Sequence, residues 1–141
     1  MSAIQRIKDK LVKYPQVKYV VTTTSIVVYP LSSNGFAVSL HTSRPSSEHR
    51  YTVHFDGWHE DFESEEEALN CFAFGLSDSC RLRVAKRGRR RYRWTVEAFT
   101  DGGWREDSTV GLFMFPFWRQ RVIVYLQNDL IAGHSGRRQL L

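Results

Sequence analysis

The chain has 141 residues, 42% of them apolar and 25% charged, with nineteen aromatic rings. That excludes intrinsic disorder and suits one ordinary globular domain, large enough to bury about 68–70% of its unfolded surface without a metal or disulfide staple. The net charge of +5 is unevenly spread: residues 81–93 (RLRVAKRGRRRYR) hold eight of the twenty basic side chains and no acid, leaving −3 for the remainder.

In the first ten residues charge alternates with apolar side chains, without the unbroken apolar stretch of a secretory signal, so a cytoplasmic location is expected. Ser2 with Gln5 forms a capping box, and Ile4, Ile7, Leu11 and Val12 recur at helical spacing. A first helix is predicted to about Lys13, ended by Pro15. Residues 17–29 (VKYVVTTTSIVVY) are rich in β-branched and aromatic side chains and read as one strand. After the turn residues 30–35 (PLSSNG), Phe36, Val38 and Leu40 alternate with smaller or polar residues as a second strand, followed by a polar loop over 42–49.

The strongest local signal is RYTVHFDGWHEDFE at 50–63, two alternating runs around Asp56-Gly57. A two-residue type I′ turn, with positive φ at both positions, sets Phe55 opposite Trp58, His54 opposite His59, Val53 opposite Glu60, Thr52 opposite Asp61, Tyr51 opposite Phe62 and Arg50 opposite Glu63. Tyr51, Val53, Phe55, Trp58, Glu60 and Phe62 then share one face, and the histidines the other.

Ser64 with Glu67 caps a second helix, along which Leu69, Phe72, Ala73 and Leu76 make an apolar stripe ending near residues 75–77. In the basic segment Leu82 and Val84 point one way and Arg81 and Arg83 the other. After a turn at 86–89, Tyr92, Trp94 and Val96 resume the inner face. A hairpin with arginines on its outer face is the reading, and a helix over 81–87 is the competing one. Residues 94–107 (WTVEAFTDGGWRED) echo the first hairpin about 45 positions later, which fits either an internal duplication or two hairpins obeying the same turn chemistry. The run 110–118 (VGLFMFPFW), at nine residues broken by Gly111 and Pro116, cannot span a bilayer, which takes roughly 20. Residues 122–126 make a last strand, and 132–141 form a flexible tail beyond a single domain at 1–131.

Tight sequential strands pair antiparallel and amphipathic helices need an apolar sheet face, so the expected fold is α+β, two helices packed on a curved, mainly antiparallel β-meander sheet. Four features bear on function. The uncharged run 110–118 must meet a second helix, a ligand or another subunit if it is a strand, or else be a doubly covered central strand. With neighbouring indoles it gives a ligand or interface set of Trp58, Glu60, Trp104, Phe113, Phe115 and Trp118. The basic segment offers Arg81, Arg83, Lys86, Arg87, Arg89, Arg90, Arg91 and Arg93 to nucleic-acid phosphates, with Tyr92 and Trp94 as stacking rings, against the simpler view that it is a solvated face. Glu60 and Glu106 each follow a Trp by two residues, and a carboxylate among aromatic rings could serve as a general acid or base. His54 and His59, with Asp61 and His41, could do so too, although a metal is not expected from one cross-strand pair. Cys71 and Cys80 form no metal or redox motif and suit a reducing compartment. Basic residues on the first helix are better explained as a solvated flank than as a membrane surface.

The expectation is a small soluble binding or protein-interaction module without catalytic activity or cofactor. Its partner would be a second copy or a small apolar ligand, with no membrane partner. Nucleic-acid binding is the alternative, and acid/base catalysis at Glu60 or the histidine pair is the third reading.

Overall fold

A computed structural model describes residues 2–43, 50–114 and 116–131. The Ser2 hydroxyl accepts from the Gln5 backbone N–H at 3.1 Å and starts α1 (Ala3–Leu11), which turns Ile4, Ile7 and Leu11 into the core. Arg6 on its outer side reaches Glu65 and Glu66 at 3.4 and 2.6 Å, tying the helix to the start of α2 (Glu65–Leu76). The helix thus packs beside α2.

The stretch predicted as one strand is two: β1 (Tyr19–Val21) and β2 (Ser25–Val28) form a hairpin. The three threonines make the turn. Thr22 Oγ1 accepts from the Thr24 backbone at 3.2 Å and lies 2.8 Å from Ser25 Oγ, a local hydroxyl pattern that competes with the extended ladder. With β3 (Val38–Thr42), β4 (Tyr51–Phe55) and β5 (Trp58–Phe62) they complete a five-stranded antiparallel meander in sequence order. The β4–β5 register is the predicted one from Tyr51–Phe62 to Phe55–Trp58, while Arg50 and Glu63 fall outside the strands.

After α2, the strands β6 (Cys80–Arg87), β7 (Arg90–Thr100), β8 (Gly103–Gly111) and β9 (Arg121–Gln127) form a second sheet in the order β8-β7-β6-β9. The fold is therefore α+β with antiparallel sheets, as expected, but the strands divide into two sheets around α2, and β9 leaves the meander by crossing to the far edge of β6. Residues 81–87 are strand, not helix. The inner face of this sheet (Leu82, Val84, Trp94, Val96, Leu126) merges with the inner face of the first (Ile26, Val28, Val38, Leu40, Val53, Phe55) and with Leu69, Phe72 and Phe74 of α2 in one core.

Three contacts lock the sheets together. Gly57 lies under the Trp94 indole, so closely that a Cβ there would sit 2.3 Å from the ring. Trp94 Nε1 donates to Asp56 Oδ2 at 2.7 Å, and Trp58 Nε1 donates to Ser108 Oγ at 2.8 Å. Asn128, buried after β9, accepts from Phe36 N at 3.1 Å and donates to Phe36 O and Gly75 O at 3.0 and 2.9 Å, so one amide joins the loop before β3, the end of α2 and the end of β9. Of the expected features, the tail 132–141, Phe115 and residues 44–49 of the polar loop lie outside the described residues.

Candidate functional site

The predicted ligand set is divided by the fold. Trp58 is 1% exposed and stacked on Phe55 at 4.7 Å between centroids, so it is a core residue and cannot line an open interface. Glu60, half-buried, shares its strand face with Trp58 and Phe62. Trp104 points the opposite way from the expected apolar pocket, onto the outer face of the second sheet, and Glu106 goes with it. The histidines gather as predicted: His54 stands between His41 and His59, with ring centroids 5.0 and 5.6 Å away. Burial, and then the neighbouring imidazoles, hold the His54 pKa below its ordinary value, with Asp61 opposing them. Among the described residues, no three His, Cys, Asp or Glu side chains come together as a metal site.

The outer face of the second sheet is a charged layer. Arg81 faces Glu97 across β6 and β7, and Arg83 faces Thr95, which faces Thr109. Arg81 Nε donates to Glu97 Oε1 at 2.5 Å, while Arg83 donates to Glu97 Oε2 at 3.0 Å and to Glu106. Under these two guanidinium groups Glu97 is only 5% exposed although it points away from the core. The Arg81 guanidinium is also sandwiched between the rings of Trp104 and Tyr125, at 4.4 and 4.3 Å. A β-bulge in the β7–β8 pairing lets both Glu106 and Thr109 face outward, and turns Ser108 inward to Trp58. Arg91 pairs with Asp56 at 2.8 Å. Arg81, Arg83 and Arg91 therefore each pair with a carboxylate of the protein itself. Tyr92 and Trp94 are buried and cannot stack on a base.

The other end of the basic hairpin differs. The described residues after β8 do not continue as a covered strand: 112–114 and 116–120 lie outside the strands, between Gly111 at the end of β8 and Arg121 at the start of β9, so the central-strand reading does not hold for them. Phe113, Met114, Phe117 and Trp118 are 99%, 79%, 72% and 71% exposed. The loop is held by its backbone. Leu112 N donates to Tyr92 O at 2.7 Å, Arg90 Nε donates to Met114 O at 3.2 Å, and Arg87 Nη1 reaches Phe117 O and Arg119 O at 3.3 and 3.1 Å. Two features read separately in the sequence, the basic turn and the apolar run, are thus one surface. Across the outer face of the second sheet, a depression of about 430 Å³ is lined by Arg83, Arg93, Arg121, Thr95, Thr109 and Glu106. Thr95 and Thr109 share a hydroxyl hydrogen bond at 2.9 Å. Among the described residues, Arg89, Arg90, Arg93, Arg119 and Arg121 have no carboxylate partner.

A smaller cleft of about 210 Å³ lies between α1 and α2, lined by Ile7, Leu11, Tyr14, Phe72 and Leu76, below the roughly 300 Å³ at which small-molecule pockets begin. Among the described residues, no helix is long and apolar enough to cross a membrane. Comparison of the chain with protein-family models, curated proteins and solved structures gives no match.

Proposed function

We propose that the chain is a binding module without catalytic activity, acting through the exposed side chains of Phe113, Met114, Phe117 and Trp118 and the turn of the basic hairpin beside them. The observation that carries the reading is the exposure of Phe113, Met114, Phe117 and Trp118 on a loop whose carbonyls accept from Arg87 and Arg90. Contiguous exposed apolar side chains mark surfaces that bind. The partner is apolar where it meets the rings and negative where it meets the arginines. A second copy docked symmetrically on this loop would bring two arginine clusters together, so like-charge repulsion disfavours the homodimer here. The buried thiols of Cys71 and Cys80 suit a reducing compartment such as the cytoplasm.

Anilinonaphthalene sulfonate, an apolar anion, tests the surface directly. Its fluorescence is expected to rise with the wild-type protein and to fall by more than about half for the double variant Phe113→Ser/Trp118→Ser at unchanged melting temperature, since exposed substitutions leave stability nearly intact. Equal fluorescence from both proteins overturns the reading.

Nucleic-acid binding is the second reading, supported by the arginines without carboxylate partners around Arg93 and Arg121, with Phe117, Trp118 and Tyr125 replacing Tyr92 and Trp94 as the accessible rings. Fluorescence anisotropy of a mixed-sequence single-stranded oligonucleotide tests it. Affinity must fall steeply with salt, and a flat or absent response removes it.

A further inference from the structure

We infer that the partner of this surface is an anionic phospholipid layer, into whose headgroup region Phe113, Met114, Phe117 and Trp118 insert; this rests on the reading of those residues as a binding surface.

Shape comes first. Phe113 is 99% exposed, and Met114, Phe117 and Trp118 project beside it. Side chains exposed to this degree stand in solvent, and a group of mixed exposed side chains is accommodated by a fluid interface without a matching cavity. Chemistry comes second. Leu112 and Met114 are aliphatic, and the Phe117 and Trp118 rings meet at 83°, edge to face. Single-stranded nucleic acid is held instead by flat rings on which successive bases stack. Phenyl, indole and thioether groups together suit the boundary between headgroups and acyl chains, where Trp and Phe with Lys or Arg recur in interfacial elements.

The order of the layers matches as well. Because Arg90 and Arg87 hold loop carbonyls, their side chains stand at the height of the loop backbone, one layer behind the projecting rings. Arg93, paired with Gly111 where the loop leaves β8, and Arg121, which opens β9, stand at its two roots. A lipid surface has the same order, hydrocarbon first and phosphates a layer out. The depression between Arg93 and Arg121, with Thr95 and Thr109 on its wall, has room for a headgroup phosphate, and its one carboxylate, Glu106, is already engaged by Arg83. Apolar insertion and cationic attraction are the two signals that stable peripheral binding needs, and each basic residue near an anionic surface strengthens binding roughly fivefold.

Flotation of the full chain with vesicles tests the inference. At physiological salt the protein is expected to float with phosphatidylcholine–phosphatidylserine vesicles and to bind phosphatidylcholine vesicles at least about tenfold more weakly. Phe113→Ser/Trp118→Ser and Arg93→Gln/Arg121→Gln, all at exposed positions, are each expected to weaken flotation about tenfold or more while keeping the wild-type melting temperature. Absence of flotation, equal binding to both vesicles, or indifference to either double variant overturns it. So does tighter binding to a single-stranded oligonucleotide than to the charged vesicles. If flotation fails while the dye response above persists, the loop is a binding surface for a different partner. If both fail, the binding-module reading falls as well.

Discussion

The two Asp-Gly hairpins carry nearly the same sequence and do opposite things with it. In β4–β5, Trp58 directly follows the turn, pairs with Phe55 and is buried. In β7–β8 an extra glycine intervenes: Gly103 pairs with Thr100, and Trp104 is moved one position along, opposite Phe99. Because strand side chains alternate with period two, one inserted residue sends the second indole to the other face, where it stacks on Arg81 instead of filling the core. The turns differ as well. Asp101 and Gly102 both have positive φ, 51° and 78°, as type I′ requires, whereas in the first hairpin only Asp56 does, at 55°. Gly57 is required there by the Trp94 ring lying on it and not by its backbone angle. Similar strings thus give one hairpin that knits the two sheets together and one that builds a charged outer layer.

Truncating the two indoles separates the roles of the hairpins most strongly. Trp58→Ala is expected to cost about 3–5 kcal/mol in chemical denaturation, as for other large core aromatics. Trp104→Ala should cost under about 1 kcal/mol, the scale of a partly exposed cation–π contact, and comparable losses would mean that both rings are core. The two glycines come next. Gly57→Ala forces a methyl into Trp94 and is expected to lose about 2–3 kcal/mol of stability by overpacking. Gly102→Ala meets no atom within 4 Å and should lose about 1 kcal/mol, from its left-handed backbone alone.

The smallest effect is in pH. Because the folded pKa of His54 is lowered, chiefly by burial, the unfolded chain takes up this proton at a higher pH than the native one. The stability of the first hairpin is therefore fully present above about pH 6.5, the unfolded imidazole value, and declines as pH falls below it. Thermal melts between neutral and mildly acidic pH should show a decline that His54→Gln flattens. The second hairpin, residues 94–107, contains no histidine, so substitutions there should leave that slope unchanged.

How far the sequence could be read depended on how local the deciding interaction was. The β4–β5 register and the inward set Val53, Phe55, Trp58 and Phe62 follow from a two-residue turn and strict alternation, both contained in fourteen residues. Both helix starts were legible because the Ser2 and Ser64 hydroxyls bind backbone N–H groups three residues on. The Thr22–Thr24 turn was missed because threonine favours strands by its branching and turns by its hydroxyl, and composition weighs only the first. Asn128 gave no sign of its role, since its partners Phe36 and Gly75 are 92 and 53 residues away.

The candidate surface was legible in its parts and not in their meeting. Alternation alone assigned Arg81, Arg83 and Arg93 to the outside and Tyr92 and Trp94 to the inside, because side-chain direction in a strand is a property of the backbone at that residue. Tertiary packing settles which outer residues are already engaged and which faces stay uncovered. Glu97 and Glu106 draw off Arg81 and Arg83. The crossing of β9 to the far edge of β6 brings the carbonyls of Met114, Phe117 and Arg119 onto Arg90 and Arg87. Strand order and coverage depend on pairings between segments tens of residues apart, which no local period records.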